Sequence, residues 1–370
     1  MNTPEHIPFF DLSRQYAEIS DDLQAAISDV LASGAFCSGP YVAAFEEKFA
    51  AFCGTSHAIG VNSGTSALHL ALIAAGVQAG DEVILPANTF IATAWAVSYA
   101  GATPVFVDCH ADTWTIDVAD VERKVTTSTK AIIGVSLYGQ PFDVQAIQDI
   151  ARPRQIAVIE DAAQSHGAKE RDRTAGSFGD LGCFSFYPSK NLGACGEAGA
   201  ITTDNPDFAA HLRRLRNHGS AQRYHHEELG FNFRMDGIQA AVLTAKLNHL
   251  PAWTARRRAL AGMYHRGITN PAIRLQSTHS DSEPVYHLFV VTTEHRDRLA
   301  EHLDSQGVGS GLHYPVPCHL QGAYTHLGYK TGDFPNSEYL AAHCLTLPMF
   351  PELSDAEVDR VVETVNAYTE

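Results

Sequence analysis

Short β-branched runs alternate with helical segments through the first half of this chain of 370 residues. Ala58 to Val61 precedes a helix predicted from about Thr65 to Ala75, and Glu82 to Leu85 precedes a helix predicted from about Ile91 to Tyr99. Three further runs of this kind are Pro104 to Val107, Ala131 to Val135 and Ile156 to Ile159. Strands joined by helices lie parallel, with helices on both faces of the sheet. The sequence therefore predicts an α/β fold with a mainly parallel central sheet, which binds ligands at the carboxyl ends of its strands.

Length and pattern predict a second, smaller unit after this sheet, because one hydrophobic core seldom organises 370 residues. A helical stretch from roughly Gly237 to Met263, broken at Pro251, is interpreted as a connector. One strand-like run and two helical segments follow it: Tyr286 to Val291, Asp297 to Gln306 and Asp355 to Tyr368. We expect a large domain over 1–250, beginning with helical segments such as Leu23 to Leu31, and a smaller α+β domain over 251–370.

Composition excludes several classes of function. The formal net charge of −16 argues against binding to nucleic acid or anionic membranes, because phosphate groups would be repelled. The stretch Met1 to His6 has no secretory signal pattern, and no apolar run is long enough to span a bilayer. Seven cysteines without a CxxC pair or metal-like spacing favour a reducing compartment and no metal site. We therefore expect a cytoplasmic protein.

Small polar residues follow the first predicted strand. In the segment Asn62 to Leu68, the residues Ser63, Gly64 and Thr65 lead from strand into helix. Free amides and the helix dipole at such a point suit a phosphate dianion, and the hydroxyls add donors. Ser and Thr are also ordinary helix caps, and the segment taken alone favours the cap.

A carboxylate follows the strand Ile156 to Ile159. Asp161 has two interpretations: a helix cap, or a charge-assisted hydrogen bond to a protonated ring nitrogen. Gln164 lies one helical turn further on and can reach the same ring. Phe90 offers a flat apolar face, suited to stacking on a ring or to plain core packing.

Lys190 lies in an apolar, glycine-rich segment without a neighbouring run of charge. Burial there would lower its pKa towards a usable amine. Ser185, on the alternating run Phe184 to Phe186, can direct its hydroxyl at the same phosphate. An amine for a Schiff base and a carboxylate for a ring nitrogen are what pyridoxal phosphate (PLP) requires. Their joint arrangement indicates a PLP site, although each part alone is a weak signal.

With these motifs in this order, the chain resembles the DegT/StrS-type sugar aminotransferases, within the fold-type I class of PLP enzymes. The matching stretches are Ile7 to Leu12, Asn62 to Leu68, Glu160 to Ala168, Phe184 to Gly193 and Gly230 to Met235. The resemblance implies that Lys190 binds the cofactor covalently, that Asp161 pairs with the ring nitrogen and that Gln164 lies near the ring hydroxyl. It further implies a phosphate site of Ser63, Gly64, Thr65 and Ser185, with Phe90 stacked on the ring.

The resemblance also implies a homodimer with shared active sites, in which Asn232 reaches the phosphate of the cofactor bound in the other subunit. His225, just before Asn232, is a candidate to cross that interface. Tyr314 and His319 match the family's substrate-facing loop. Arg234 either binds an anionic group of the substrate or supports Asn232. Most of the 19 histidines are expected to be structural.

The implied reaction moves an amino group from glutamate to a keto-sugar linked to a nucleotide, in amino-sugar biosynthesis. Relatives with histidine in place of the lysine perform dehydration, so Lys190 favours transamination. Two alternatives remain: a free ketosugar or cyclitol as acceptor, and a non-catalytic PLP-binding regulatory protein. An ordinary dinucleotide-binding protein is excluded, because no G-x-G-x-x-G follows the first strand. The sequence does not determine the sugar, the nucleotide or the carbon that is aminated.

Overall fold

The computed structural model describes residues 6–369. Most of the stretch expected to lack a secretory signal, Met1 to Glu5, lies outside the described residues. The α-helices of the described part are α1 Leu12–Glu18, α2 Ser20–Ser33, α3 Pro40–Cys53, α4 Gly64–Ala74, α5 Ile91–Tyr99, α6 Val118–Lys124, α7 Val144–Ala151, α8 Pro206–Leu215, α9 Gly237–Leu247, α10 Leu250–Gly267, α11 Arg296–Ser305, α12 Pro335–His343 and α13 Asp355–Ala367. Its strands are β1 His57–Val61, β2 Glu82–Pro86, β3 Thr103–Val107, β4 Thr129–Val135, β5 Ala157–Asp161, β6 Lys169–Glu170, β7 Arg173–Thr174, β8 Leu181–Ser185, β9 Gly199–Thr203, β10 Arg274–Leu275, β11 Ser282–Glu283, β12 Phe289–Thr292 and β13 Cys344–Leu347. None of these helices combines the length and the apolar character needed to cross a bilayer.

A seven-stranded sheet in the order β1-β9-β8-β5-β4-β2-β3 forms the centre of the molecule. The pairs β8–β5, β5–β4, β4–β2 and β2–β3 are parallel, whereas β9 runs antiparallel to both of its neighbours. The prediction of a mainly parallel α/β sheet is confirmed. The antiparallel β9 was not predicted, because a short apolar run does not reveal its direction.

Helices cover both faces of this sheet. Successive side chains of β4, Ile132 and Ile133, belong to different apolar clusters, as the alternation of a strand requires. The cluster around Ile133 includes Leu70 of α4, and the cluster around Ile132 includes Ile147 of α7. Burial on both sides explains why these strands read as continuous apolar runs.

A smaller sheet, β10-β12-β13, lies in the second part of the chain. Its strands share an apolar cluster with α10, α11 and α13, and Ile7 from the N-terminal segment also packs there. The helical stretch is interrupted between Leu247 and Leu250, and Pro251 lies in the first turn of α10, where a missing amide costs nothing. The expected strand Tyr286 to Val291 starts later, at Phe289, because Tyr286 adopts a left-handed φ of 46°. The division into domains over 1–250 and 251–370 stays a prediction.

Candidate active site

A cavity of about 400 Å³ lies at the carboxyl edge of the central sheet. Asp161 and Ser185 enter it from the last positions of β5 and β8, and Ser136 follows the last residue of β4. The predicted site residues that line the cavity are Ser63, Gly64, Thr65, Phe90, Asp161, Gln164, Ser185, Lys190 and Tyr314. The volume is in the range of roughly 300–1,000 Å³ that is common for small-molecule sites.

Lys190 is held by the turn that follows β8. Its amide donates to the carbonyl of Tyr187 at 2.8 Å. A Cβ on Gly193 would lie 2.2 Å from the carbonyl oxygen of Pro188, so this turn closes only around a glycine. Burial lowers the pKa of Lys190 to about 8, and the nearby Asp161 carboxylate partly opposes this shift. A share of the amine is therefore neutral near neutral pH.

Asp161 is 6% exposed at the end of β5. Thr93 Oγ1 donates to its Oδ2 at 2.8 Å, and the amide of Ala163 donates to its Oδ1 at 3.2 Å. Burial raises the pKa of this carboxyl, while both hydrogen bonds and the charge of Lys190 act in the opposite direction. A cationic group placed beside Asp161 would favour its ionised form further.

Gln164 joins two walls of the cavity. Its Oε1 accepts from the amide of Tyr138 at 2.6 Å, and its Nε2 donates to the hydroxyl of Tyr314 at 3.1 Å. Tyr138 presents that amide because it adopts a left-handed φ of 61°. The Tyr138 hydroxyl in turn donates to the carbonyl of His313. The side-chain orientation of Gln164 is therefore fixed at both ends.

The start of α4 packs closely against the end of β8. Ser63 Oγ caps the helix by accepting the amide of Ser66 at 3.1 Å, so the interpretation of this segment as a cap is correct. The amides of Gly64 and Thr65, in the first turn, have no acceptor within the helix. A Cβ on Gly64 would lie 2.7 Å from Cβ of Ser185. This close approach brings two free amides and the Ser185 hydroxyl to one point of the cavity.

An aromatic pair forms another wall of the cavity. The rings of Phe90 and Tyr314 are 5.5 Å apart between centroids and inclined by 44°. Phe90 is 51% exposed, so it is not a core residue of the single chain. Plain core packing within the single chain, one of its two interpretations, does not fit this exposure.

Three of the predicted site residues on the segment 225–234 do not line the cavity in the single chain. Asn232 and His225 are exposed. Arg234 donates to the side chain of Asn217 at 3.1 Å, and Asn217 pairs through its backbone with Asn232. Arg234 thus supports the segment that carries Asn232, which was one of its two predicted roles.

His319 does not reach the cavity either. It is 1% exposed, its Nε2 lies 3.1 Å from Oε1 of Glu338, and its ring packs edge-on against Phe334. Burial lowers its pKa. These contacts support a structural role for His319, and only Tyr314 of the predicted loop pair lines the cavity.

Sequence reasoning missed two residues near Lys190: His287, which lines the cavity, and Thr93, which lies behind Asp161. His313, which precedes Tyr314 in the predicted substrate-facing loop, also lines the cavity. Burial and the charge of Lys190 lower the pKa of His313 to about 4, so its imidazole is neutral. A polar residue within an otherwise apolar run is the only sequence signal that marks His287 and Thr93.

The residues of the cavity fit pyridoxal phosphate. The buried carboxylate of Asp161 suits a protonated ring nitrogen, and the amine of Lys190, with its lowered pKa, suits an aldehyde. The close packing of Gly64 against Ser185 leaves backbone amides available for a phosphate. Among residues 6–369, no group of three or more His, Cys, Asp or Glu side chains is arranged to hold a metal ion.

Comparison with known proteins gives matches along nearly the whole chain. The model of the DegT/DnrJ/EryC1/StrS aminotransferase family matches residues 17–366. A dTDP-3-amino-3,4,6-trideoxy-alpha-D-glucose transaminase of Streptomyces venezuelae is 46% identical over 365 residues, which cover 98% of this chain and 96% of the relative.

Two solved structures share the fold over nearly the whole chain. The crystal structure of S. venezuelae DesV in complex with a ketimine intermediate superposes with a TM-score of 0.96 at 46% identity, covering 98% of both chains. NtdA from Bacillus subtilis with bound cofactor PMP has a TM-score of 0.91 at 32% identity, covering 98% of this chain and 86% of that one. The predicted fold class, resemblance and transaminase activity are confirmed. The chain belongs to the DegT/DnrJ/EryC1/StrS aminotransferase family.

Proposed function

We propose that this protein uses pyridoxal phosphate to move an amino group from glutamate to a keto-sugar linked to a nucleotide. The proposal rests on one observation: Lys190 and Asp161 line the same cavity as the residues at the start of α4, whose amides have no acceptor within the helix. PMP, the cofactor bound in NtdA, is the amine form of the same cofactor. The dTDP-sugar transaminase of S. venezuelae supports a nucleotide-linked acceptor.

Each residue of the cavity has a definite task in this reaction. When bound, pyridoxal phosphate supplies an aldehyde that condenses with amines and a ring that accepts electrons. Asp161 keeps the ring nitrogen protonated through a charge-assisted hydrogen bond. Lys190 would hold the cofactor through its Nζ, and the same amine, when free, would take the proton from the carbon that carries the donor's amino group. The pKa of about 8 leaves part of this amine neutral for that step.

The remaining cavity residues bind and orient. The amides of Gly64 and Thr65, with the hydroxyls of Ser63 and Ser185, hold the phosphate. Phe90 covers one face of the ring. Gln164 would hydrogen-bond the ring hydroxyl, and its own bond to Tyr314 ties it to the residue that would face the substrate.

The functional unit in this proposal is a homodimer in the cytoplasm. Phe90, Trp95, Tyr99 and Tyr187 are large aromatic side chains, each at least 39% exposed in the single chain, around the mouth of the cavity and along α5. An exposed apolar patch of this kind supports a protein partner. A second copy would cover it and bring its own Asn232, with His225 nearby, to the cofactor phosphate.

Covalent trapping tests the cofactor site. Protein supplied with pyridoxal phosphate and then reduced with borohydride should carry the label on the peptide that contains Lys190. Lys190→Ala should abolish the label, whereas Lys48→Ala, which removes an exposed lysine of α3, should leave it intact. A label on another lysine in the unaltered protein would refute the assignment.

Reaction with substrates tests the chemistry. Glutamate should bleach the visible absorbance of the bound cofactor, and a nucleotide-linked keto-sugar should restore it. A free ketosugar or cyclitol that restores it equally well would favour the alternative acceptor. Cofactor that binds covalently but never responds to any amino donor would favour a regulatory protein.

A further inference from the structure

The residue after Lys190 is tied to the second part of the chain. Asn191 is 4% exposed, and its Nδ2 donates to the carbonyl of Val285 at 3.1 Å. Its Oδ1 lies 3.1 Å from Nδ1 of His287. Both ends of the Asn191 side chain therefore reach the segment just before β12.

These contacts determine which nitrogen of His287 carries its proton. Because Asn191 Nδ2 donates to a carbonyl, Asn191 Oδ1 is an acceptor, so His287 Nδ1 must donate to it. Burial holds the pKa of His287 well below its usual range, and the charges of Lys190 and Arg257 act in the same direction. His287 is thus neutral, with its proton on Nδ1.

The backbone of His287 is itself held from two sides. Arg257 is buried, and its Nη1 donates to the carbonyls of His287 at 3.3 Å and Met349 at 2.9 Å. On the other side, a Cβ on Gly139 would lie 2.9 Å from the His287 amide nitrogen. The imidazole is therefore a fixed point against which Asn191 is aligned.

We propose that His287 is a positioning residue for Lys190, because its hydrogen bond to Asn191 fixes the direction in which the neighbouring lysine enters the cavity. The backbone on the other side of Lys190 is held by the bond from its amide to Tyr187. With Asn191 anchored as well, the lysine amine stays in line with the cofactor aldehyde. The inference rests on the proposed function, in which Lys190 is the residue that binds the cofactor.

The rate at which Lys190 captures the cofactor tests the proposal. Cofactor-free protein is mixed with pyridoxal phosphate, reduced with borohydride at intervals, and the labelled fraction of the Lys190 peptide is measured by mass spectrometry. His287→Asn keeps a donor where Nδ1 lies, whereas His287→Phe keeps the ring shape and removes the donor. Asn191→Ala removes the acceptor and also the donor to the Val285 carbonyl. His265→Phe is the control, because His265 packs near Tyr286 and Phe289 but does not line the cavity.

Loss of one neutral hydrogen bond should slow capture by about fivefold in His287→Phe, and Asn191→Ala, which loses two, should slow it at least as much. His287→Asn and the control should stay within about twofold of the unaltered protein, and the double variant His287→Phe with Asn191→Ala should be no slower than Asn191→Ala alone. Circular dichroism and thermal unfolding verify that each variant is folded. If His287→Phe does not fold, the comparison of Asn191→Ala with His287→Asn still tests the proposal.

Three results would overturn the inference: capture at the normal rate in His287→Phe, an equal loss in His287→Asn, or additive losses in the double variant. Unaltered protein that captures the cofactor on another lysine, or not at all, would instead contradict the proposed function.

Discussion

At the scale of single residues, two adjacent carboxylates show how placement selects one of them for chemistry. Glu160 and Asp161 are both buried at the end of β5 and face opposite sides of the sheet. Glu160 accepts from the amide of Gly176 at 2.7 Å, and burial raises its pKa to about 8. Asp161 faces the cavity and interacts with Lys190. Only the second carboxylate can therefore pair with a cofactor.

The pH at which Lys190 becomes reactive should follow from its surroundings. With a pKa of about 8, the amine in cofactor-free protein should react with acetic anhydride at rates that rise through pH 8, rather than near the ordinary value of about 10.4. Because the Asp161 carboxylate raises the pKa of Lys190, Asp161→Asn should move this midpoint to lower pH. Acetylation of the Lys190 peptide, followed by mass spectrometry across pH 6–10, checks both signs. A midpoint that stays fixed in the variant would contradict the coupling.

The hydrogen bond from Thr93 should strengthen the binding of a protonated cofactor ring by Asp161, because it favours the ionised carboxylate. Thr93→Val keeps the volume of this buried residue but removes the donor at 2.8 Å from Oδ2. Loss of a hydrogen bond to a charged group typically costs about 1.5–3 kcal/mol, so kcat/KM should fall by roughly tenfold or more. Steady-state kinetics and cofactor titration measure the effect. Thr93→Ser, which restores the hydroxyl, should recover most of the loss, and equal defects in both variants would indicate a packing effect instead.

At the scale of elements, the site depends on the contact between the start of α4 and the end of β8. Ser63 caps the helix, and Gly199 of β9 approaches so closely that its Cβ would lie 2.4 Å from the carbonyl carbon of Ser63. Gly64 makes the matching approach to Ser185. The two glycines bring a helix terminus and a strand end together without a side chain between them, which leaves room for a phosphate.

Gly64→Ala should disturb this contact. The added Cβ would lie 2.7 Å from Cβ of Ser185, so the helix start and the strand end must separate. Overpacking of this kind lowers the free energy of unfolding by about 1–3 kcal/mol and should weaken cofactor binding at the same time. Thermal unfolding and cofactor titration measure the two effects. Gly322→Ala, where an added Cβ would meet nothing within 4 Å, is the matched control and should change neither.

At the scale of the whole molecule, the single chain leaves part of the predicted site unassembled. Asn232 is exposed and does not line the cavity, while Arg234 and Asn217 hold its segment in place. Phe90, at the mouth of the cavity, is half exposed. Both features fit the proposed arrangement, in which a second copy completes each active site.

Mixed dimers should reveal which chain supplies Asn232. Lys190→Ala and Asn232→Ala should each be inactive or strongly impaired as separate proteins. If Asn232 acts on the partner's cofactor, a hybrid dimer contains one intact site, so an equal mixture should regain about a quarter of normal activity after subunit exchange. Activity of the refolded mixture is the measurement. No recovery, despite hybrid dimers detected by native mass spectrometry, would mean that Asn232 acts within its own chain.

Features of this fold and site were predictable from the sequence where they depend on residues close together in the chain, and not where they depend on distant ones. Strand–helix alternation, the cap at Ser63 and the local motifs around Asp161 and Lys190 depend on near neighbours, and they agree with the structure. The direction of β9 and the burial of His319 against Glu338 depend on residues far apart in the chain. The hydrogen bond from Thr93 to Asp161 also joins residues that are 68 positions apart in the chain.

The sequence by itself determined the α/β class and the family, and it predicted Lys190 and Asp161 as the reactive pair, because apolar periodicity and local motifs are properties of short segments. Only the tertiary structure decided which polar residues surround that pair. Thr93 comes from α5, Tyr138 from the turn after β4, and His287 and His313 from the second part of the chain. Folding brings these distant side chains to one edge of the sheet, where burial lowers the pKa of Lys190 and raises that of Asp161. The apolar segment around Lys190 predicted that burial would lower its pKa, but which residues bury the amine is a property of the packed molecule.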